Sequence, residues 1–225
     1  MTDIAENIRR IRSDIEEAKV RSSREGDTIR IMAVTKTVPP ERVNEAVSCG
    51  LTLLGENRVQ EYLSKKDAYS PGAEVHMIGR LQSNKIKYII DNVAMIQSVD
   101  SLSLAAQIGE KALLHGKVMD VLCEVNVGAE ESKSGFDRSA VGDALAVMSQ
   151  TEGIRVRGLM VIPPPGESER YFDITRGLYE EFKGRYSLDT LSMGMSADYA
   201  LAVEYGSTLV RIGSGIFGKR DYSIH

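Results

Sequence analysis

Apolar residues at Ile4, Ile8, Ile11, Ile15 and Ala18 recur every three or four positions, the spacing that gives a helix one buried face. Asp3 with Glu6 three residues later predicts a capping box, and Gly26 predicts the end of the element, so an amphipathic helix is expected over the first 25 residues. After it the pattern changes: short apolar runs, each closing on a polar tip, alternate with stretches of helical period. Strands are expected near 29–35, 51–54, 75–78, 94–97, 118–126, 155–161, 188–191 and 207–210. Helices are expected between them, near 40–49, 57–68, 82–91, 101–115, 137–150, 167–184 and 197–205. The runs Leu51–Leu54 and Ala94–Gln97 also suit helix segments; their spacing and flanking turn residues favour strand.

Eight strands with helices between them imply parallel βα units. A doubly wound sheet meets that pattern, but eight regular units of roughly 25 residues fit a closed barrel better. The expected fold is α/β, a single-domain (β/α)8 TIM barrel over residues 1–225 with an extra N-terminal helix, residues 1–26, packed on the barrel. That helix would supply the outer layer where the roughly 15 residues after the eighth strand are too few to do so. No Pro/Gly/Ser-rich linker divides the chain.

Composition narrows the partners. The chain is 42% hydrophobic and 27% charged with a formal net charge of −4, and no basic stripe stands out, which argues against nucleic acid. No apolar stretch approaches a membrane span and the N-terminus does not read as a signal peptide, so a cytoplasmic protein is expected. Cys49 and Cys123 lie far apart in apolar contexts and read as buried free thiols. The set of Cys, His and Asp residues has no metal-ligand spacing.

In a barrel of this type the working face lies at the C-terminal ends of the strands. The first strand ends in Lys36, the second in Gly55–Glu56–Asn57, the seventh in Ser192–Met193–Gly194–Met195–Ser196 and the eighth in Arg211–Ile212–Gly213–Ser214–Gly215. A lysine at such a tip either snorkels to solvent or meets a small molecule, and a desolvated amine is a nucleophile for carbonyls. The last two tips combine glycine backbone N–H groups, serine hydroxyls and an arginine fork, the donor set of a phosphate cup, with Ser196 expected to cap the following helix. The plainer reading gives Gly213 and Gly215 to turns and Arg211 to a surface ion pair. An amine and a phosphate cup on neighbouring strands ask for a ligand with a carbonyl at one end and a phosphate at the other. Pyridoxal 5′-phosphate (PLP) fits, as does the sugar phosphate of a Schiff-base aldolase.

Several strings then resemble one family. They include Ala33-Val34-Thr35-Lys36-Thr37, Gly55-Glu56-Asn57-Arg58-Val59-Gln60-Glu61, His76-Met77-Ile78-Gly79-Arg80-Leu81-Gln82-Ser83-Asn84-Lys85 and Gly128-Ala129-Glu130-Glu131-Ser132-Lys133-Ser134-Gly135-Phe136. Leu191-Ser192-Met193-Gly194-Met195-Ser196 and Gly206-Ser207-Thr208-Leu209-Val210-Arg211-Ile212-Gly213 complete the match, in order along nearly the whole chain. They resemble the pyridoxal phosphate homeostasis proteins, related to the N-terminal domain of alanine racemase. Val75 stands where that family commonly has Trp, and Gly215 where it has Ala. The resemblance implies PLP held as a Schiff base on Lys36, with Asn57 beside it and Ser196, Arg211, Gly213 and Ser214 around its phosphate.

A PLP racemase needs a second acid/base on the opposite face of the substrate. The chain as given extends no further than residue 225, its three histidines do not cluster, and no tyrosine is evidently aimed at the site. His76, near the start of the third strand, reads as a satisfied core histidine. The expectation is a monomeric PLP-binding protein of vitamin B6 homeostasis without turnover, exchanging PLP with apo PLP-dependent enzymes. A small racemase-like PLP enzyme is the alternative. The polar loop 128–135 reads equally as a lid, a docking surface or a solvated loop.

Overall fold

Each strand alternates between a face turned into a barrel and a face turned to the surrounding helices, and eight of them pair in parallel until the first meets the last. A computed structural model describes residues 3–129, 133–164 and 166–218. The strands are β1 (Arg30–Val34), β2 (Leu53–Glu56), β3 (Glu74–Met77), β4 (Met95–Val99), β5 (Met119–Asn126), β6 (Phe136–Asp137), β7 (Ile154–Val161), β8 (Thr190–Ser192) and β9 (Leu209–Ile212). The order β4-β3-β2-β1-β9-β8-β7-β5 closes through a β4–β5 pairing, giving an eight-stranded parallel barrel, with the two-residue β6 paired to the last two residues of β5, Val125 and Asn126. The barrel is the TIM fold the strand rhythm predicts. Residues Glu130–Ser132 of the loop 128–135, and Pro165 at the sixth tip, lie outside the described residues.

The helices are α1 (Ile4–Arg21), α2 (Pro40–Ser48), α3 (Val59–Lys65), α4 (Ile86–Ile89), α5 (Leu102–Leu114), α6 (Val141–Met148), α7 (Ser168–Tyr186), α8 (Tyr199–Glu204) and α9 (Ser214–Phe217). Helix α1 packs against α8, α9 and α2, the position a helix after the eighth strand would fill. Its buried face is the predicted row Ile4, Ile8, Ile11, Ile15 and Ala18. Asn7 ties it to the Ile216 carbonyl at 2.9 Å, and Arg21 to Glu204 at 2.7 Å. Half of the predicted capping box forms: Asp3 accepts the Glu6 N–H at 2.9 Å, while the Glu6 carboxylate turns to Arg9.

Three expectations shift. Helix α1 ends at Arg21, not Gly26, because Ser23 takes the left-handed conformation (φ 55°) and the Arg24 N–H returns to the Lys19 carbonyl at 2.8 Å, a Schellman closure with serine in the glycine position. The second, seventh and eighth barrel strands start two residues later than the apolar runs imply. Cys123 is buried as expected, but Cys49 is partly exposed; both are free.

Most of the core is the layer between barrel and helices. Inside the barrel sit two small apolar groups, Met32, Val34, Leu53, Ile78 and Leu209 on one side and Met95, Leu122 and Met160 on the other. Between them the interior is polar, with buried His76, Gln97, Glu124, Ser192 and Arg211. No helix among the described residues is long and apolar enough to cross a membrane.

Candidate functional site

Lys36 sits in a tight turn at the end of β1. The Thr35 N–H bonds the Gly55 carbonyl at 3.0 Å, and the Val38 N–H returns to the Thr35 carbonyl at 3.0 Å. Between them Thr37 is left-handed (φ 63°), an unfavourable state for a β-branched residue, and its N–H is held by the Glu61 carboxylate. Glu61 also pairs with Lys65, whose Nζ reaches the Thr35 carbonyl at 3.1 Å. Behind the turn, the buried Glu56 accepts from the Thr35 hydroxyl at 2.7 Å and from the Tyr69 hydroxyl. The lysine is thus presented by a turn bonded on two sides to β2 and α3.

Lys36 lines a cavity of about 340 Å³ at the C-terminal mouth of the barrel, together with Asn57, Ser196, Arg211, Gly213 and Ser214. All six residues singled out from the sequence therefore share one cavity. Its apolar wall, which sequence reading missed, is Val34, Ile78, Ile162 and Met195. Three larger hollows, about 800 Å³ beside the starts of α7 and α8, about 590 Å³ at the β3 and β4 tips and about 450 Å³ at the ends of α6 and α7, are more open, and none includes Lys36. The smaller cavity combines an amine, a cation and an apolar wall, the mixture of a small-molecule site.

Ser196 does not cap the following helix; Asp198 holds that position before α8. Instead its Oγ accepts the N–H groups of Gly213 at 3.2 Å and Gly215 at 3.1 Å, joining the seventh and eighth tips. With those two bonds accepted, the hydroxyl keeps its own proton to donate, and the residue lines the cavity.

Arg211 is buried, not engaged in a surface ion pair. Its Nη1 donates to the Ser192 hydroxyl and its Nη2 to the Val161 carbonyl, each at 2.7 Å, leaving further N–H donors on the fork. Burial pushes its pKa down to about 10, opposed by the charges of Asp198 and Glu124, so it stays cationic at neutral pH. A cation this poorly hydrated attracts anionic or polar ligand groups strongly.

Among the described residues, three buried oxygens have no hydrogen-bond partner: Glu56 Oε2, Asn57 Oδ1 and Glu124 Oε2. Glu124 accepts from Ser134 at 2.7 Å through its other oxygen, and burial raises its pKa. Of the three, Asn57 belongs to the cavity lining. Among the described residues no His, Cys, Asp and Glu cluster is placed to hold a metal ion.

The family described as alanine racemase, N-terminal domain, matches residues 2–221. A pyridoxal phosphate homeostasis protein from Aquifex aeolicus is 41% identical over 224 residues, covering 96% of this chain and 98% of that protein. A crystal structure of a protein from Bifidobacterium adolescentis is similar with a TM-score of 0.90 at 33% identity, over 95% of this chain and 94% of that one. PipY of Synechococcus elongatus, solved with PLP bound, is similar with a TM-score of 0.83 at 31% identity, over 96% of this chain and 100% of that one.

Proposed function

Because this chain belongs to the pyridoxal phosphate homeostasis protein family, built on the alanine racemase N-terminal domain, we propose that it binds PLP at Lys36 and serves cytoplasmic PLP homeostasis by holding the cofactor without turning over a substrate. The observation that carries this reading is the convergence of Lys36, Asn57, Ser196, Arg211, Gly213 and Ser214 on one cavity.

The residues fit the group. PLP, when bound, supplies an aldehyde on a flat aromatic ring with a phosphate at one edge. Lys36 is the tether for the aldehyde. Val34, Ile78, Ile162 and Met195 give the ring an apolar wall. Ser196 and Ser214 supply hydroxyl donors, and Gly213 lets the backbone approach, at the end suited to phosphate; Arg211 brings a fixed positive charge. The buried, unpartnered Asn57 Oδ1 is an acceptor of the kind a ligand hydroxyl satisfies. One chain supplies all six, so a monomer suffices, and free PLP and apo PLP-dependent enzymes are the exchange partners.

The test is a visible spectrum of the PLP-loaded protein before and after borohydride, with mass mapping of the reduced adduct. The expected result is a visible band that reduction removes and an adduct on Lys36. An adduct elsewhere, or no uptake, overturns the assignment. Incubation with chiral amino acids tests the absence of turnover: racemisation that disappears in Lys36→Ala would overturn the holder reading.

A further inference from the structure

A line of side chains crosses the interior of the barrel from the cavity to its opposite mouth. Arg211 Nη1 meets Ser192 Oγ at 2.7 Å, and Ser192 Oγ meets Gln97 Oε1 at 2.7 Å. Gln97 Nε2 meets His76 Nδ1 at 2.9 Å, and His76 Nε2 meets Glu74 Oε1 at 2.8 Å. Arg30 closes the line on the other Glu74 oxygen at 2.7 Å. His76, Gln97, Ser192 and Arg211 are all buried, whereas Glu74 and Arg30, first residues of β3 and β1, reach solvent at the N-terminal mouth. Only Arg211 touches the ligand cavity; Ser192, Gln97 and His76 have no part in its lining.

The line has a direction. Arginine can only donate, and an ionised carboxylate can only accept. From Arg211, the Ser192 hydroxyl accepts and passes its own proton to the Gln97 carbonyl oxygen. The Gln97 amide then donates to His76 Nδ1, which leaves the imidazole proton on Nε2, aimed at Glu74. Reversing the Gln97 amide would present two acceptors to His76 and demand an imidazolium in a fully buried site. Burial opposes that, holding the His76 pKa down even against the raising pull of Glu74 and Asp120; Arg30 lowers it further. A neutral histidine admits one arrangement of donors along the whole line.

We propose that Ser192, Gln97 and His76 are positioning residues, a one-directional hydrogen-bonded chain that fixes the Arg211 guanidinium at the cavity and is anchored at the far mouth of the barrel by Glu74 and Arg30. His76 is its polarity-setting member, held as the neutral Nε2–H tautomer. Loss of any link leaves a buried donor or acceptor unpaired and frees the guanidinium to move. Its effect on ligand binding rests on the PLP reading above; the tautomer and the Arg211 placement do not.

The test begins on the ligand-free protein, ¹⁵N-labelled, with His115→Asn and His225→Asn to assign the His76 signals. Long-range ¹H–¹⁵N spectra at neutral pH are expected to show His76 protonated on Nε2 and bare on Nδ1; a proton on Nδ1 overturns the chain. Gln97→Leu and Ser192→Ala, confirmed as folded by circular dichroism, are each expected to shift the Arg211 Nε–H resonance. In the PLP-loaded protein each should move the absorbance maximum and weaken PLP binding about tenfold, the scale of a lost hydrogen bond to a charged group. The double variant should be no weaker than the weaker single, since both cut one line. Additive losses, or folded single variants with unchanged Arg211 resonance, overturn the proposal. If the wild-type protein takes up no PLP, the functional reading fails, while the His76 and Arg211 spectra still decide the chain.

Discussion

The Thr35 hydroxyl donates to Glu56 Oε1 at 2.7 Å, directly behind the turn that presents Lys36. Glu56 is fully buried, and its second oxygen has no partner. Burial therefore raises its pKa above the ordinary carboxylate value, and the bonds from Tyr69 and Thr35 recover only part of the cost. A carboxyl whose folded pKa is raised lowers stability above its unfolded pKa, and that penalty disappears as pH falls below it. Glu56→Gln keeps an acceptor for Thr35 and Tyr69 but carries no charge. It is expected to raise the melting temperature by a few degrees at pH 7 and to match wild type near pH 4. Thermal melts across that range check this; a variant less stable at pH 7 would mean the charge is needed to hold the turn.

Glu74 carries the opposite sign. Bonded first by His76 and then by Arg30, its pKa is pulled down to about 2. A depressed carboxyl contributes stability above its unfolded pKa, here 4.5, and loses it as pH falls toward 2. Because Glu74 is 40% exposed, solvent screening limits the contribution to about 1 kcal/mol. Glu74→Gln is expected to cost that much at pH 7, with the gap to wild type closing between pH 4.5 and 2. Denaturant titrations at three pH values measure the gap, and a constant difference would place the Glu74 contribution in packing instead of charge.

The barrel was legible in the chain because its strands are short apolar runs at regular spacing, a local signal. Where the expectation slipped, a residue was buried for another reason. Leu188 belongs to the apolar run of the seventh barrel strand, but it follows left-handed Ser187 at the end of α7, so β8 begins only at Thr190. Site composition was legible too: Lys36, Arg211 and the Gly/Ser tips announced themselves by type. Their bonding was not, since Ser196 meets Gly213 and Gly215 only when two tips come together. The buried line from His76 to Arg211 joins strands remote in sequence and has no period to betray it. Glu56 looked like one more polar tip residue until its burial was visible.

Two glycines test how tightly that framework is built. A Cβ on Gly158 would lie 1.6 Å from the Thr190 carbonyl oxygen, backbone that cannot yield without parting β7 from β8. Gly158→Ala is expected to destabilise the fold by about 3 kcal/mol or more. On Gly55 the nearest atom would be Met32 Sδ at 2.5 Å, the end of a flexible side chain inside the barrel. Gly55→Ala should therefore cost only about 1 kcal/mol. Urea unfolding of both variants ranks them, and equal costs would refute the distinction between rigid and yielding neighbours.

Ser196 offers the sharpest separation of phosphate from ring recognition. Its Oγ gathers the Gly213 and Gly215 N–H groups, and its hydroxyl, which lines the cavity, can still donate. In Ser196→Ala the cavity loses that hydroxyl, while Lys36 and the apolar wall stay as they are. Binding of PLP should weaken about tenfold, as expected for loss of a hydrogen bond to a charged group. Pyridoxal, which has the same aldehyde and ring but no phosphate, should bind the variant and the wild type alike. Spectroscopic titration with both compounds makes the comparison on one protein sample. Equal losses for the two would move Ser196 from the phosphate end to a general structural role at the seventh and eighth tips.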